Sequence, residues 1–247
     1  MEIDHSQAWD EILASIDDDS RRSLRLRMER LKCQRRDGAV PQQLIDGALF
    51  SAAELRSPKC LAYLAQEFGG DIHHSPAGEG RSALDHAIYC PDPPLRARMF
   101  KILMGLARAD SLAELSQHWI SALRASLHVG DVEIMRHLSS FIGARRFSQW
   151  LPLVRMDRAD AWIIAARSGN PELIGILMGE PEMRARFDLG ILPEGHFLAD
   201  LSERLGHASF ARDVRGIAAA KREQQAIGDA CGSAPLLGRG PSPNRRM

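Results

Sequence analysis

Four stretches of the chain are punctuated alike, and this repetition constrains the fold more than any other feature. They are "ALFSAAELRSPKCLAYLAQEFGGDI" (Ala48 to Ile72), "GRSALDHAIYCPDPPLRARMFKILMGL" (Gly80 to Leu106), "RASLHVGDVEIMRHL" (Arg124 to Leu138) and "AWIIAARSGNPELIGILMG" (Ala161 to Gly179). Each places a small residue three positions after a large apolar one, then a break, then a second apolar-periodic run. The large residue falls at Leu49, Leu84, Leu123 and Trp162, at successive spacings of 35, 39 and 39 residues. Such spacings suit stacked helix pairs with a repeat of about 33 residues carrying short insertions.

The small residues have a physical reason. Ala52, Ala53, Ala87, Ala125, Ser126, Ala165 and Ala166 let the first helix of each pair lie close against its neighbours, where bulky side chains would hold the stack apart. The breaks supply turns: Gly130 and Gly169 accept a positive φ, and Asp131 and Asn170 can cap the following helix. Pro171 suits a first helical position, and Ser57-Pro58 and Pro91-Asp92-Pro93-Pro94 occupy the same place in the other two stretches.

The pattern resembles the ankyrin repeat. "GEGRSALDHA" (Gly78 to Ala87) is similar to that family's G-x-T-P-L-H-x-A signature, and "FGGDI" (Phe68 to Ile72) to its G-A-D-V step before a β-hairpin finger. The resemblance spans roughly Leu44 to Gly179. No repeat holds the Thr-Pro pair, the His after Leu is replaced by Phe50, Asp85, Arg124 and Ile163, and the third and fourth repeats have no clear G-x-T start. The implied fold is an all-α solenoid of about four to five degenerate helix pairs with helical caps. Residues 1–40 form the N-terminal cap, 41–195 the repeats, 196–227 a degenerate last pair, and 228–247 a Gly-, Pro-, Ser- and Arg-rich disordered tail.

In the cap, Trp9, Ile12, Leu13 and Ile16 fall at helical spacing after a cap at Ser6, and a second helix starts near Asp19 or Ser20 with Leu24, Met28 and Leu31 on one face. This second helix is basic: Arg21, Arg22, Arg25, Arg27, Arg30, Lys32, Arg35 and Arg36 stand against Glu29 alone. Arg21, Arg22, Arg25 and Arg30 are candidates for holding an anion or an acidic partner. Asp17, Asp18 and Asp19 offset them, and no aromatic residues interleave as single-strand nucleic-acid binding would want.

Bulk composition excludes much. Formal net charge is zero and the isoelectric point about 7.1, so nothing global attracts nucleic acid or an anionic membrane. No apolar run is long enough to span a bilayer, and the acidic start lacks a cleaved secretory leader, which points to the cytoplasm. Cys33, Cys60, Cys90 and Cys231 form no C-x-x-C pair and read as reduced thiols. Of 32 basic residues only Lys32, Lys59, Lys101 and Lys221 are lysine, a bias that points to a GC-rich bacterial gene.

Candidate chemistry is sparse. Cys60, His73, His74, His86 and Cys90 match no zinc spacing, so no metal and no cofactor is expected. Asp85, His86 and Cys90 offer the residue types of a nucleophilic triad, but on a helix Asp85 and Cys90 point apart. There is no phosphate loop, H-E-x-x-H or G-x-S-x-G. No catalytic residue is assigned.

What the ankyrin resemblance implies is binding of another protein by a monomer. Carried over by position, the concave face presents Ser51, Glu54 and Leu55, then His86, Tyr89 and Cys90, then Ala125 and His128, then Ile164 and Arg167, while the finger adds His73, His74 and Arg81. His73, His74, Arg81, His86, Tyr89, His128 and Arg167 are the binding candidates. Two alternatives stand beside it: a bacterial effector delivered into a host cell without a cleaved signal peptide, and an enzyme built on the same scaffold.

Overall fold

A computed structural model describes residues 5–35, 38–76, 80–107, 116–157, 159–190 and 196–232. Among them the chain is all-α, with fourteen helices and one minimal strand pair. In chain order the helices are α1 (His5–Asp17), α2 (Arg21–Gln34), α3 (Gln42–Glu54), α4 (Pro58–Glu67), α5 (Ala83–Ile88), α6 (Pro93–Met104), α7 (Ser116–Val129) and α8 (Val132–Ile142). Next come α9 (Ala144–Trp150), a 3₁₀ turn (Leu151–Leu153), and the antiparallel strands β1 (Arg155–Met156) and β2 (Ala159–Asp160). The chain then forms α10 (Ala161–Ser168), α11 (Glu172–Gly179), α12 (Pro181–Gly190), α13 (His196–Arg204) and α14 (Ala208–Gly232).

Local chemistry sets these boundaries. The Ser20 side chain accepts from the Ser23 N–H to start α2, whose Leu24, Met28 and Leu31 are buried. Asp92, Asp131 and Asp160 cap α6, α8 and α10 in the same way. Ser82 and Asp85 make a reciprocal capping box at α5. Gly130 and Gly169 end α7 and α10 with φ of 76° and 75°. Two expectations shift slightly: α1 already includes Ser6, and Pro171 is the residue before α11, with Asn170 Oδ1 accepting the Glu172 N–H.

Packing follows the small residues. α1 packs on α3, α3 on α5, α5 on α7, α7 on α10 and α10 on α13. Ala52, Ala53, Ala87, Ala125, Ser126, Ala165 and Ala166 are all buried along this row. The partner helices α2, α4 and α6 pack against one another in turn. Hydrogen bonds about 40 residues apart tie successive pairs: Asp19 Oδ1 accepts from the Lys59 N–H, Asn170 Nδ2 donates to the Gly130 carbonyl, and His207 Nε2 meets the Arg167 carbonyl.

Between α8 and α10 the pattern is interrupted by α9, the 3₁₀ turn and the strand pair, and α12 follows α11 without a partner of the same kind. The expected hairpin at Phe68 to Gly80 is not a strand pair in the described residues. Instead Gly69 and Gly70 take positive φ, and the segment is pinned by Asp46 Oδ1 accepting the Asp71 N–H and Ile72 carbonyl accepting the Leu84 N–H. Gly78 and Glu79, at the start of the signature, lie outside the described residues. At the other end, α14 runs through Gly228 to Gly232, because Ala218 to Ala226 is rich in strong helix formers. Residues 233–247 lie outside the described set. No helix among the described residues is long and apolar enough to cross a membrane.

Candidate functional site

The candidate residues cluster where α5 meets α7. Tyr89 caps the C-terminus of α5, half-buried, and the His128 ring from the last turn of α7 meets it edge-on at 5.7 Å. Arg81, just ahead of the capping box, lays its guanidinium over the Tyr89 ring at 4.5 Å from the centroid. Burial pushes the Tyr89 hydroxyl's pKa up, against the opposing pull of Arg124 and Arg81. Three of the residues expected on the binding face are therefore brought together, and Arg124 lines the adjoining cleft with Arg81.

Below this cluster lies a cleft of about 390 Å³ between α5, α7, the 3₁₀ turn and β1. Its floor is Asp85, a buried carboxylate that accepts hydrogen bonds from the Ser82 N–H at 3.0 Å and from the hydroxyls of Ser82 and Ser121 at 3.1 Å. Arg124 donates to the Ser121 hydroxyl at 3.0 Å, so that hydroxyl links guanidinium to carboxylate. Arg81, Arg155, His118, Ile120 and Leu153 complete the walls.

The other candidates are placed differently. Finger residue His73 belongs to the core: only 4% exposed, its ring packs edge-on against Trp119 at 4.6 Å and beside His118 at 5.3 Å. Burial lowers its pKa to about 4. Its burial against the Trp119 and His118 rings corrects the expectation of an exposed finger tip. His74 is half-buried. The half-buried His86 packs edge-on against Phe50 at 5.0 Å, in the layer between α3 and α5. Arg167 is exposed at the end of α10, where its carbonyl meets His207.

On α2, Arg21, Arg22, Arg25 and Arg30 are exposed. Arg21 reaches over the Tyr63 ring at 5.8 Å, while Arg27 pairs with Glu11 at 2.9 Å. Leu26, 64% exposed, lies among them.

The triad types do not assemble around a nucleophile. The Asp85 carboxylate is taken by Ser82 and Ser121, and the buried Cys90 Sγ is 3.8 Å from the Asp92 carbonyl. Among the described residues no three His, Cys, Asp or Glu side chains are grouped to hold a metal ion.

The sequence does not mark Arg124, Arg155, Ser121 and Leu153 as binding residues. Arg124 was visible only as a departure from the repeat signature, and Leu153 and Arg155 lie in an insertion that has no repeat register. The S-x-x-D spacing of Ser82 and Asp85 is the one sequence signal for this part of the cleft, a capping box at the start of α5. Comparison with protein-family models, curated proteins and solved structures gives no match to this chain.

Proposed function

We propose that the chain is an ankyrin-like solenoid that acts as a non-enzymatic protein-binding module. The observation that carries this reading is the cluster of Arg81, Tyr89 and His128, which spans two successive first helices and lays a guanidinium over a half-buried aromatic ring, with Arg124 on the adjoining cleft. Tyr and Arg are the side chains that most often anchor protein interfaces, since each combines apolar area with hydrogen-bonding capacity. Two further features support the solenoid: the serial packing of first helices, and the inter-pair hydrogen bonds at a separation of about 40 residues.

Its mechanism is rigid presentation. Caps and buried small residues hold the helices in place before any partner arrives, so little ordering entropy is lost on binding. The test is crosslinked affinity capture from a lysate, with the wild-type chain beside a Tyr89→Ala/His128→Ala/Arg167→Ala variant whose helicity is verified. A protein held by the wild type and lost by the folded variant supports the reading. Capture that the variant leaves unchanged moves the interface away from this face.

A further inference from the structure

The α5–α7 cleft carries an excess of positive charge for which the described residues supply no carboxylate partner. Three arginines, Arg81, Arg124 and Arg155, stand around it, and none of them pairs with a carboxylate among the described residues. Among the described lining residues only Asp85 is acidic, and its oxygens are occupied by Ser82 and Ser121. Among the described residues two guanidinium charges are thus left without a carboxylate, and Arg155 Nη1 donates at 2.8 Å to the Pro152 and Val154 carbonyls.

Some cations elsewhere in the chain are paired with carboxylates. Arg96 meets Asp131 at 2.9 Å, Arg186 meets Glu182 at 2.9 Å, and Arg215 bridges Asp200 and Glu203. Among the described residues, arginines without a carboxylate also stand on other faces, such as Arg22, Arg25 and Arg30 on α2, but here three of them line one concave cleft.

The cleft is also partly apolar. Leu153 is 57% exposed on the 3₁₀ turn at its rim, with Ile120 on the α7 wall. Arginines interspersed with exposed aliphatic surface match a chain that alternates carboxylates with an apolar side chain. A nucleic acid would want more: stacking platforms for successive bases, and a stripe of cations extending beyond one cleft.

Resting on the protein-binding reading above, we propose that this cleft docks an acidic segment of the partner protein, with carboxylates on Arg81, Arg124 and Arg155 and an apolar side chain on Leu153 and Ile120. Arg124 is the central contact. Its link through Ser121 to the buried Asp85 fixes one edge of the guanidinium, and a guanidinium has more N–H donors than Ser121 takes. Arginine fits this task because its planar fork can grip a carboxylate with two parallel hydrogen bonds.

The test is a calorimetric titration of the full chain with an acetylated Glu-Glu-Leu-Glu-Glu amide. Controls are the same peptide with Gln for Glu, the same peptide with Ser for Leu, and a single-stranded oligonucleotide. The acidic peptide is expected to bind at least about tenfold more tightly than its Gln counterpart, and to weaken as salt rises. An Arg81→Glu/Arg124→Glu variant should lose that preference and favour a Lys-Lys-Leu-Lys-Lys amide instead, a gain that misfolding could not produce.

Equal binding of the Glu and Gln peptides, or no binding of either, overturns the proposal. Tighter binding of the oligonucleotide overturns it in favour of a phosphate site. A Ser peptide as tight as the Leu one removes the apolar contact from it. If a captured partner depends on Tyr89 and His128 yet survives the Arg81→Glu/Arg124→Glu change, the protein-binding reading stands and the acidic segment falls.

Discussion

His207 fills the space that a side chain at Gly169 would need. A Cβ built on Gly169 would overlap the imidazole at Nδ1, while the ring's Nε2 lies 3.1 Å from the Arg167 carbonyl. Gly169 also has a φ of 75°, which an L side chain rarely adopts. The Gly169→Ala variant should therefore lose about 1–3 kcal/mol of stability. Gly175→Ala is the control: within α11 its Cβ would meet nothing within 4 Å, and the change should add about 0.5–1 kcal/mol. Urea midpoints of the two variants read both signs, and a Gly169→Ala protein as stable as the wild type would remove the contact from the packing.

The features that were legible in the sequence are those set by neighbours along the chain. Ser20 capping α2, the buried face of Leu24, Met28 and Leu31, the glycine turns at Gly130 and Gly169 and the row of buried alanines all follow from spacing and from the steric size of single residues. Within the candidate site, Arg81, Tyr89 and His128 were legible because they occupy repeat positions. His73 was not, because its burial depends on Trp119 in a helix distant along the chain. Nor was the Arg124–Ser121–Asp85 link, which joins side chains of two helices whose relative rotation no periodicity specifies. The insertion that supplies Leu153 and Arg155 has no counterpart in the other pairs to read it against.

Acid should weaken the fold through His73. Burial, reinforced by His118 and opposed by Asp71, lowers its pKa from 6.5 to about 4. The unfolded chain thus takes up the proton first. This contribution to stability is fully present above about pH 6.5, declines as pH falls from there to about 4, and levels off below. Its full size is on the order of 3 kcal/mol. A His73→Phe variant keeps an aromatic ring against Trp119 and removes the titration, so its Tm should fall less than that of the wild type across this window. Parallel pH profiles for the two proteins would show that His73 is not the group responsible.

Asp19 holds two helix pairs together from a backbone conformation with φ of 45°. Its Oδ1 accepts the Lys59 and Cys60 N–H groups at 2.9 and 3.2 Å, so a residue of the first pair caps α4 of the second. Asp19→Ala should cost about 1–2 kcal/mol, because two N–H groups at the start of α4 lose their acceptor. Asn keeps an acceptor oxygen and tolerates left-handed φ, so Asp19→Asn should retain most of that stability. Asp19→Gly separates the terms, relieving the backbone while losing the cap. Denaturation midpoints in the order wild type, Asn, Gly, Ala are expected, and an Ala variant above Asn would show that the cap does not matter.

Thiol reactivity should divide the cysteines by the same packing. Burial first and the Asp19 carboxylate second push the Cys60 thiol up to about 12, with Lys59 opposing. Sγ lies 3.5 Å from the Ser15 carbonyl, sealed between the first two pairs. Almost no thiolate exists there at neutral pH, and thiolate is the reacting form. Cys33 is exposed on α2 and Cys90 is buried. Iodoacetamide followed by peptide mapping should modify Cys33 in the folded protein and reach Cys60 only through opening of the helices around it. The Asp19→Ala variant loosens that junction and removes the nearby negative charge, so it should speed labelling of Cys60 while leaving Cys33 unchanged. Equal rates at Cys33 and Cys60 in the wild type would mean that α4 does not close over α1 and α2 as described.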